Sequence, residues 1–579
     1  MKILLTTLNA KFIHSSLALA YLKAYCQSDF TDIQIREYTI NEPTTNILAD
    51  IYSCQPDVIC FSCYIWNIEM IKILCADLKQ IMPTVTIIAG GPEVSYDAET
   101  FLNENPAIYC VVRGEGEAAM LELLHCIRKQ SRPENILGIT YREDSIIVNA
   151  DRPLIGDLDT IPFPYENELI HYRNRTVYYE TSRGCPFHCS YCLSSTIKGV
   201  RYFSLQRVKR DLKYLMDNHL PEVKLVDRTF NADEKRAKEI MAFIIRHNHI
   251  TKFHCEIDAA LLSPDMLLFL GEVPAGMFDF EIGIQSTFPT ALAAVNRERN
   301  WQKQSRNIAQ LKQYGNIHIH LDLIAGLPYE DYQRFKTSFN QVYDLKPDVI
   351  QLGFLKLLKG SLLRDQSQEY GYKFEHKPPY QVLGNHYISY PELMKLSQIE
   401  DQISRYYNTG MVSNFLNYTI AHCYQGDSFA FWERLSAFLS ERNFFRFGHK
   451  REEEYTLLYE FIRQEQGADR HLAELLKFDY LLNNRERNLP AVFTSHNPAD
   501  VNEVLYACLK DQSFIARMLP DSVGKSPREI RRLVHLEYLF LDGTGKPSAE
   551  PVPLLFIYKT PGKKAETARI TLDEPMDKW

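Results

Sequence analysis

The sequence has no long apolar run, no internal repeat, no low-complexity tract and no surplus of basic charge. Its 579 residues carry 65 Lys and Arg against 73 Asp and Glu, a net charge of −8. That balance argues against a general nucleic-acid binder. The opening stretch MKILLTTLNAKF breaks its apolar run at Asn9 and Lys11, short of a signal peptide or a membrane span. The expectation is a cytoplasmic chain with no membrane partner. Thirteen cysteines in such a chain read as reduced thiols and metal ligands rather than a disulfide framework. Most, such as Cys26, Cys75, Cys126, Cys423 and Cys508, stand singly in apolar segments and read as small buried hydrophobes.

What is present is alternation. KILLTT, DIQIREY, PDVICFSC, TVTIIAG and AIYCVVRG are short β-rich runs separated by helical stretches such as NIEMIKILCADLKQI. Strands alternating with helices predict a doubly wound, Rossmann-like parallel sheet over residues 1–135. Ligands bind such sheets beyond the carboxyl ends of the strands, here LNAKFIHSS, SCYIWN, GGPEVS and RGEGE. Residues 136–172 read as a linker with a small hairpin. From 173 to 370 six further strand-helix units, VYYETS through DVIQLGF, predict a partial (β/α)6 TIM-type barrel with chemistry at the carboxyl ends of its strands. Residues 371–579 read as a mainly helical domain with a β-rich tail. The α/β class of the whole follows.

The first barrel unit ends in TSRGCPFHCSYC, with Cys185, Cys189 and Cys192. A structural zinc site wants four ligands; His188 lies between two of the cysteines, and no second pair follows at finger-like spacing. A cubane cluster has four irons, so three thiolates would leave one iron open for a ligand. The pattern CxxxCxφC, with Tyr191 before the last cysteine, resembles the radical S-adenosylmethionine (SAM) superfamily. The resemblance implies a 4Fe-4S cluster on the three cysteines and SAM chelating the open iron. It further implies SAM contacts along the strand ends: Tyr191; Asp227 in LVDRTFN, accepting from the SAM ammonium; Glu256 in HCEID; Glu281, Gln285 and Ser286 in EIGIQS; and Asp322 in DLIAGLP. Taken singly, each reads first as a solvated strand end or a cap; it is their recurrence at successive strand ends that supports the assignment.

A doubly wound domain ahead of such a barrel is similar to the cobalamin-binding domain of one subclass. By that resemblance cobalamin is held by Asn9, His14, Ser15, Ser62, Tyr64, Gly90, Gly91, Pro92, Glu93, Gly114 and Glu115. Glu93 stands where many relatives have histidine. His14 is a candidate cobalt ligand, but Phe12 and Leu17 occupy the Asp and Gly positions of the DxHxxG loop, so a capping or corrin-facing role stays open. Cys60 and Cys63 read as core.

The carboxyl-terminal third resembles the uncharacterised domain found after the barrel in one group of these proteins. Its Tyr406, Tyr407, Lys477, Asp479, Tyr480 and Arg485 read as a charged helical surface or as a substrate face. DGTGKPS is not a phosphate loop, because Phe540 and Pro547 replace required residues. The expected activity is methylation of an unactivated carbon of a small molecule or peptide, through a 5′-deoxyadenosyl radical and methylcobalamin, with an electron donor such as flavodoxin or ferredoxin. Alternatives are cyclisation or rearrangement without methyl transfer, a non-enzymatic sensor, and methylthiotransferase-like RNA modification, which needs a second three-cysteine cluster in the amino-terminal domain; Cys54, Cys60 and Cys63 sit mainly on one strand rather than on separate loops, and the net acidity disfavours RNA.

Overall fold

The computed structural model describes residues 1–559, apart from 167 and 486–488, and residues 564–569. Two compact units divide it, Met1–Leu393 and Met394–Trp579.

The first unit opens with a sheet of seven strands: β1 (Ile3–Asn9), β2 (Ile33–Thr39), β3 (Val58–Ser62), β4 (Thr86–Gly90), β5 (Cys110–Val112), β6 (Ile139–Arg142) and β7 (Ile146–Val148). Their order is β2-β1-β3-β4-β5-β6-β7. The first five are parallel and the last two antiparallel. All residues of β1 and β3 are buried, as expected of parallel strands covered by helices on both faces. The hairpin expected in the linker is thus not free-standing: β6 pairs with β5 and extends the sheet. Order reverses between β1 and β3, which makes their carboxyl ends the switch point where such sheets take ligands. Cys60 packs beside Met120 in the core on one face, and Cys63 beside Val94 and Phe101 in the core on the other.

The same unit continues through β8 (Val177–Tyr179), a hairpin of β9 (Ser182–Cys185) and β10 (Gly199–Tyr202), and then β11 (Glu222–Leu225), β12 (Lys252–Ile257), β13 (Phe278–Gln285), β14 (His318–Ala325) and β15 (Val349–Phe354). Six of these form a parallel sheet in the order β15-β14-β13-β12-β11-β8. The sheet is an open barrel with edges at β8 and β15. A short antiparallel pair, β16 (Lys373–Phe374) and β17 (Val382–Gly384), follows. Along β12 and β14 buried apolar residues alternate with partly exposed His254, Glu256, His320 and Asp322. Period-2 alternation puts those polar residues on one face, opposite the buried apolar set.

The second unit combines helices Ser413–Cys423, Ser428–Glu441, Arg451–Gln466 and Arg470–Asn483 with an antiparallel sheet of β18 (Val534–Leu541), β19 (Pro547–Ile557) and β20 (Glu566–Arg569). Here the charged-surface reading of KFDYLL is corrected. Lys477 and Glu537 form an ion pair at 2.6 Å with both side chains 1% exposed. Asp479 is buried and accepts from Phe415 N and Asn414 Nδ2 at 2.9 and 2.7 Å. Tyr406 and Tyr480 are core residues. Arg485 is exposed and donates to the Arg532 carbonyl, and Tyr407 is partly buried.

Candidate active site

The cysteine stretch begins as a strand rather than a loop. β9 pairs antiparallel with β10, so Cys185 sits opposite Gly199 at the end of a ladder. Gly184 has φ +98°, and a Cβ there would stand 2.2 Å from the Gly199 carbonyl oxygen; only glycine permits this approach. Beyond it the chain turns, with Cys192 N donating to Cys189 O at 3.0 Å. Cys185, Cys189 and Cys192 line one cavity. His188 is exposed and does not line it.

Two anchors, one buried and one partly buried, hold the β9 hairpin. Asp227, 1% exposed, accepts from Thr181 N at 3.0 Å, Thr181 Oγ1 at 2.7 Å and Ser182 Oγ at 2.5 Å. Burial nonetheless raises its pKa. Arg183 forms ion pairs with Glu117 at 2.6 Å, Glu180 at 2.7 Å and Glu115 at 3.2 Å, and Arg201 of β10 pairs with Glu115 at 2.8 Å. Glu115 also accepts from Ile155 N at 2.7 Å. The Gly114–Glu117 turn of the first sheet therefore grips the strand that carries the cysteines.

Opposite the cysteines the cavity is walled by the polar face of the barrel. Glu256, Glu281, Gln285 and Asp322 line it together with Tyr191. Glu281 accepts from His254 Nε2 at 2.8 Å and pairs with Lys224 at 3.0 Å. Burial would raise its pKa, but these two partners hold it at about 2. Burial raises the carboxyls of Glu256 and Asp322, and His320 lies 3.1 Å from Asp322. Gln285 adopts φ +69°, and its buried Oε1 has no hydrogen-bond partner among the described residues.

Five of the seven residues expected around SAM thus face the cavity, and two do not. Asp227 is turned back onto Thr181 and Ser182, while its neighbours Arg228 and Thr229 line the wall. Ser286, 1% exposed, donates to Glu330 Oε1 at 2.6 Å, as does Ser338 at 2.8 Å. Residues without a motif were missed: Lys224, His254, His320 and Arg297. For the two histidines a signal existed, since HCE and HLD put each histidine two residues before a cavity carboxylate and hence on the same strand face.

In the first sheet the residues expected at cobalamin gather at the ends of β1, β3 and β4. Asn67 ties the two loops at the switch point: its Nδ2 lies 3.1 Å from Thr7 Oγ1, Leu8 O and Ser62 O. Tyr64 stacks on Trp66 with ring centroids 4.4 Å apart, and Trp66, Phe12 and Ile13 remain exposed. Gly91 has φ +104°, and a Cβ there would stand 2.6 Å from Cys63 O, so backbone lies close-packed beside Gly90 and Pro92. Asn9 donates to Glu37 and to His14 O, and Ser15 to Thr176 O. His14 Nδ1 lies 2.6 Å from the Tyr178 hydroxyl. Two expected contacts are engaged elsewhere. Glu93 is buried, accepting from Tyr380 and lying 3.4 Å from Lys359 Nζ, and Glu115 is held by the arginines. Cys54 is buried, and Cys60 and Cys63 occupy cores on opposite faces of their sheet, so these three do not converge on a second cluster.

Three families match the chain in succession: "B12 binding domain" over residues 3–124, "Radical SAM superfamily" over 179–342 and "Protein of unknown function (DUF4080)" over 368–556. An uncharacterized methyltransferase of Pyrococcus horikoshii is 28% identical over 345 residues, covering 58% of this chain and 74% of its own length. The cobalamin-dependent radical SAM methyltransferase TokK of Streptomyces tokunonensis is 24% identical over 308 residues, 50% of this chain and 45% of TokK. The chain thus spans less than half of that relative. Among solved structures, OxsB with aqua-cobalamin and SAM bound superposes with a TM-score of 0.57 at 14% identity, covering 83% of this chain and 78% of OxsB. At that identity the likeness is one of fold.

Proposed function

Because the chain joins a B12 binding domain to a radical SAM domain and so belongs to the cobalamin-binding radical SAM enzymes, we propose that it methylates an unactivated carbon of a small-molecule or peptide substrate. The observation that carries this reading is the cavity itself: three cysteines on one wall, no fourth cysteine and no histidine among its lining residues, and a polar strand face opposite. When bound, the cluster and SAM supply a carbon-centred radical, and cobalamin supplies a methyl carrier.

The chain's own residues do the rest. Cys185, Cys189 and Cys192 would hold the cluster, and the missing fourth ligand leaves room for SAM. Asp227 and Arg183 fix the strand that presents the cysteines. Glu256, Gln285 and Asp322 are the groups we assign to SAM, with the orphaned Gln285 Oε1 an acceptor awaiting a donor. The stacked Tyr64 and Trp66, with Gly90, Gly91 and Pro92, form the wall we assign to the corrin. An electron donor such as flavodoxin or ferredoxin belongs to the same proposal.

The test is anaerobic reconstitution of the full chain with iron, sulfide and hydroxocobalamin, followed by reduction with SAM. Formation of 5′-deoxyadenosine together with a protein-bound cobalamin spectrum is expected. Cys185→Ala should lose at least 100-fold of the deoxyadenosine and keep the cobalamin spectrum; full activity in that variant would sink the assignment. The buried, divergent Cys54, Cys60 and Cys63 disfavour the methylthiotransferase alternative.

A further inference from the structure

Arg297 follows β13 and returns to the cysteine wall. Its Nη1 lies 3.5 Å from Cys189 Sγ, and its Nη2 donates to the Gly283 carbonyl at 2.6 Å. Its hydrogen-bond partners among the described residues are thus a sulfur and a carbonyl, with no carboxylate. Nε is buried without a partner. The backbone holds the approach, since Arg297 N donates to Leu292 O at 2.8 Å and Ser190 N to Val295 O at 3.0 Å. The other two cysteines lack an equivalent. Cys185 has the neutral Thr229 hydroxyl at 3.6 Å, and no charged donor to Cys192 is found among the described residues. Arg299, two residues on, is neutralised by Asp258 at 2.6 Å and lies over the Phe187 ring.

We infer that Arg297 is a positioning residue that sets the reduction potential of the cluster, by donating a charge-assisted hydrogen bond to the Cys189 thiolate. The inference rests on the radical SAM reading. Reduction adds one electron, with no proton, to a cluster already carrying three thiolates, so the reduced state is the more negative. A partly buried guanidinium against one thiolate stabilises that state preferentially, because hydrogen bonds to cluster sulfurs and nearby charge are among the levers on the potential. The electron comes from an external one-electron donor of low potential, for which reduced flavodoxin or titanium(III) citrate serves.

The full-length protein, reconstituted with iron and sulfide and kept free of SAM, is poised at a series of potentials and the reduced cluster is counted by EPR. Arg297→Gln is expected to lower the ratio of reduced to oxidised cluster about tenfold at fixed potential, a shift of about 59 mV for one electron, with iron content unchanged. Arg299→Gln, which removes a nearby charge but no sulfur contact, should stay within twofold of wild type. Coincident curves for wild type and Arg297→Gln, or an equal shift in Arg299→Gln, overturn the inference. Should Arg297→Gln lose its cluster, wild-type protein labelled with 15N-arginine decides by pulsed EPR of the reduced cluster. A 15N coupling that disappears in Arg297→Lys supports the hydrogen bond, and no coupling overturns it. Failure of wild type to assemble any 4Fe-4S cluster would instead remove the functional reading beneath it.

Discussion

Glu330 shows how a single buried carboxyl sets a pH dependence. Its side chain is 1% exposed, accepts from Ser286 and Ser338 through Oε1, and leaves Oε2 buried without a partner. Burial lifts its pKa to about 7 against these hydrogen bonds. The folded state therefore holds a proton that the unfolded state has released between about pH 4.5 and 7, and stability falls as pH rises through that window. The whole interval amounts to roughly 3 kcal/mol. Glu330→Gln should remove this component, so that melting temperatures of variant and wild type diverge progressively from pH 5 to pH 8, with the variant higher. The motif reading put Ser286 at the cofactor because strand ends were the only guide; its actual partners lie 44 and 52 residues away in sequence, a distance that no local pattern spans.

At the scale of the element, the β9 hairpin is the part of the site most dependent on its neighbours. A four-residue strand against a four-residue strand has little stability alone. Asp227 and the Arg183 network supply what the ladder lacks. Breaking a buried ion pair by deleting one partner costs about 3–5 kcal/mol, because the other charge stays buried and uncompensated. Arg183→Met leaves Glu115, Glu117 and Glu180 together and should lower the melting temperature and speed iron loss to a chelator. Arg152→Met, whose partner Glu122 is 47% exposed, should cost under about 1 kcal/mol and leave iron retention unchanged. Asp227→Asn should weaken cluster retention without touching the cavity wall. The sequence reveals the hairpin's cysteines through spacing alone. It conceals the anchors, since GEGE reads as a ligand turn at the end of β5, and only the folded chain brings Glu117 to Arg183.

For the whole molecule, the alternation of strands and helices is legible because parallel sheets covered on both faces need continuous apolar runs, and these runs survive in β1, β3 and β4. The second unit is less legible. KFDYLL carries two charges in an apolar helix, and the local pattern cannot reveal that Glu537 and Asn414 receive them in the interior. All candidate cofactor residues fall within Met1–Leu393. Ligands that bind only the folded state stabilise it by mass action, about 2.7 kcal/mol at a hundredfold excess over Kd. Scanning calorimetry of the reconstituted chain should show hydroxocobalamin and SAM raising one transition while a second, from the Met394–Trp579 unit, stays in place.

The grip of the Gly114–Glu117 turn on Arg183 also bears on how the protein is made. Glu117 precedes Arg183 by 66 residues, roughly 3–13 s of synthesis at about 5–20 residues per second. The first sheet, complete at Val148, leaves the ribosome before the cysteines do. When Arg183 emerges, Glu115 and Glu117 have already been made and Glu180 immediately precedes it, so the strand that carries the first thiol arrives after its partners. The order of synthesis thus favours docking of the cysteine strand onto the amino-terminal sheet, and a chimera that exchanged only one of the two would keep the Asp227 anchor but lose the match of Glu115 and Glu117 to Arg183.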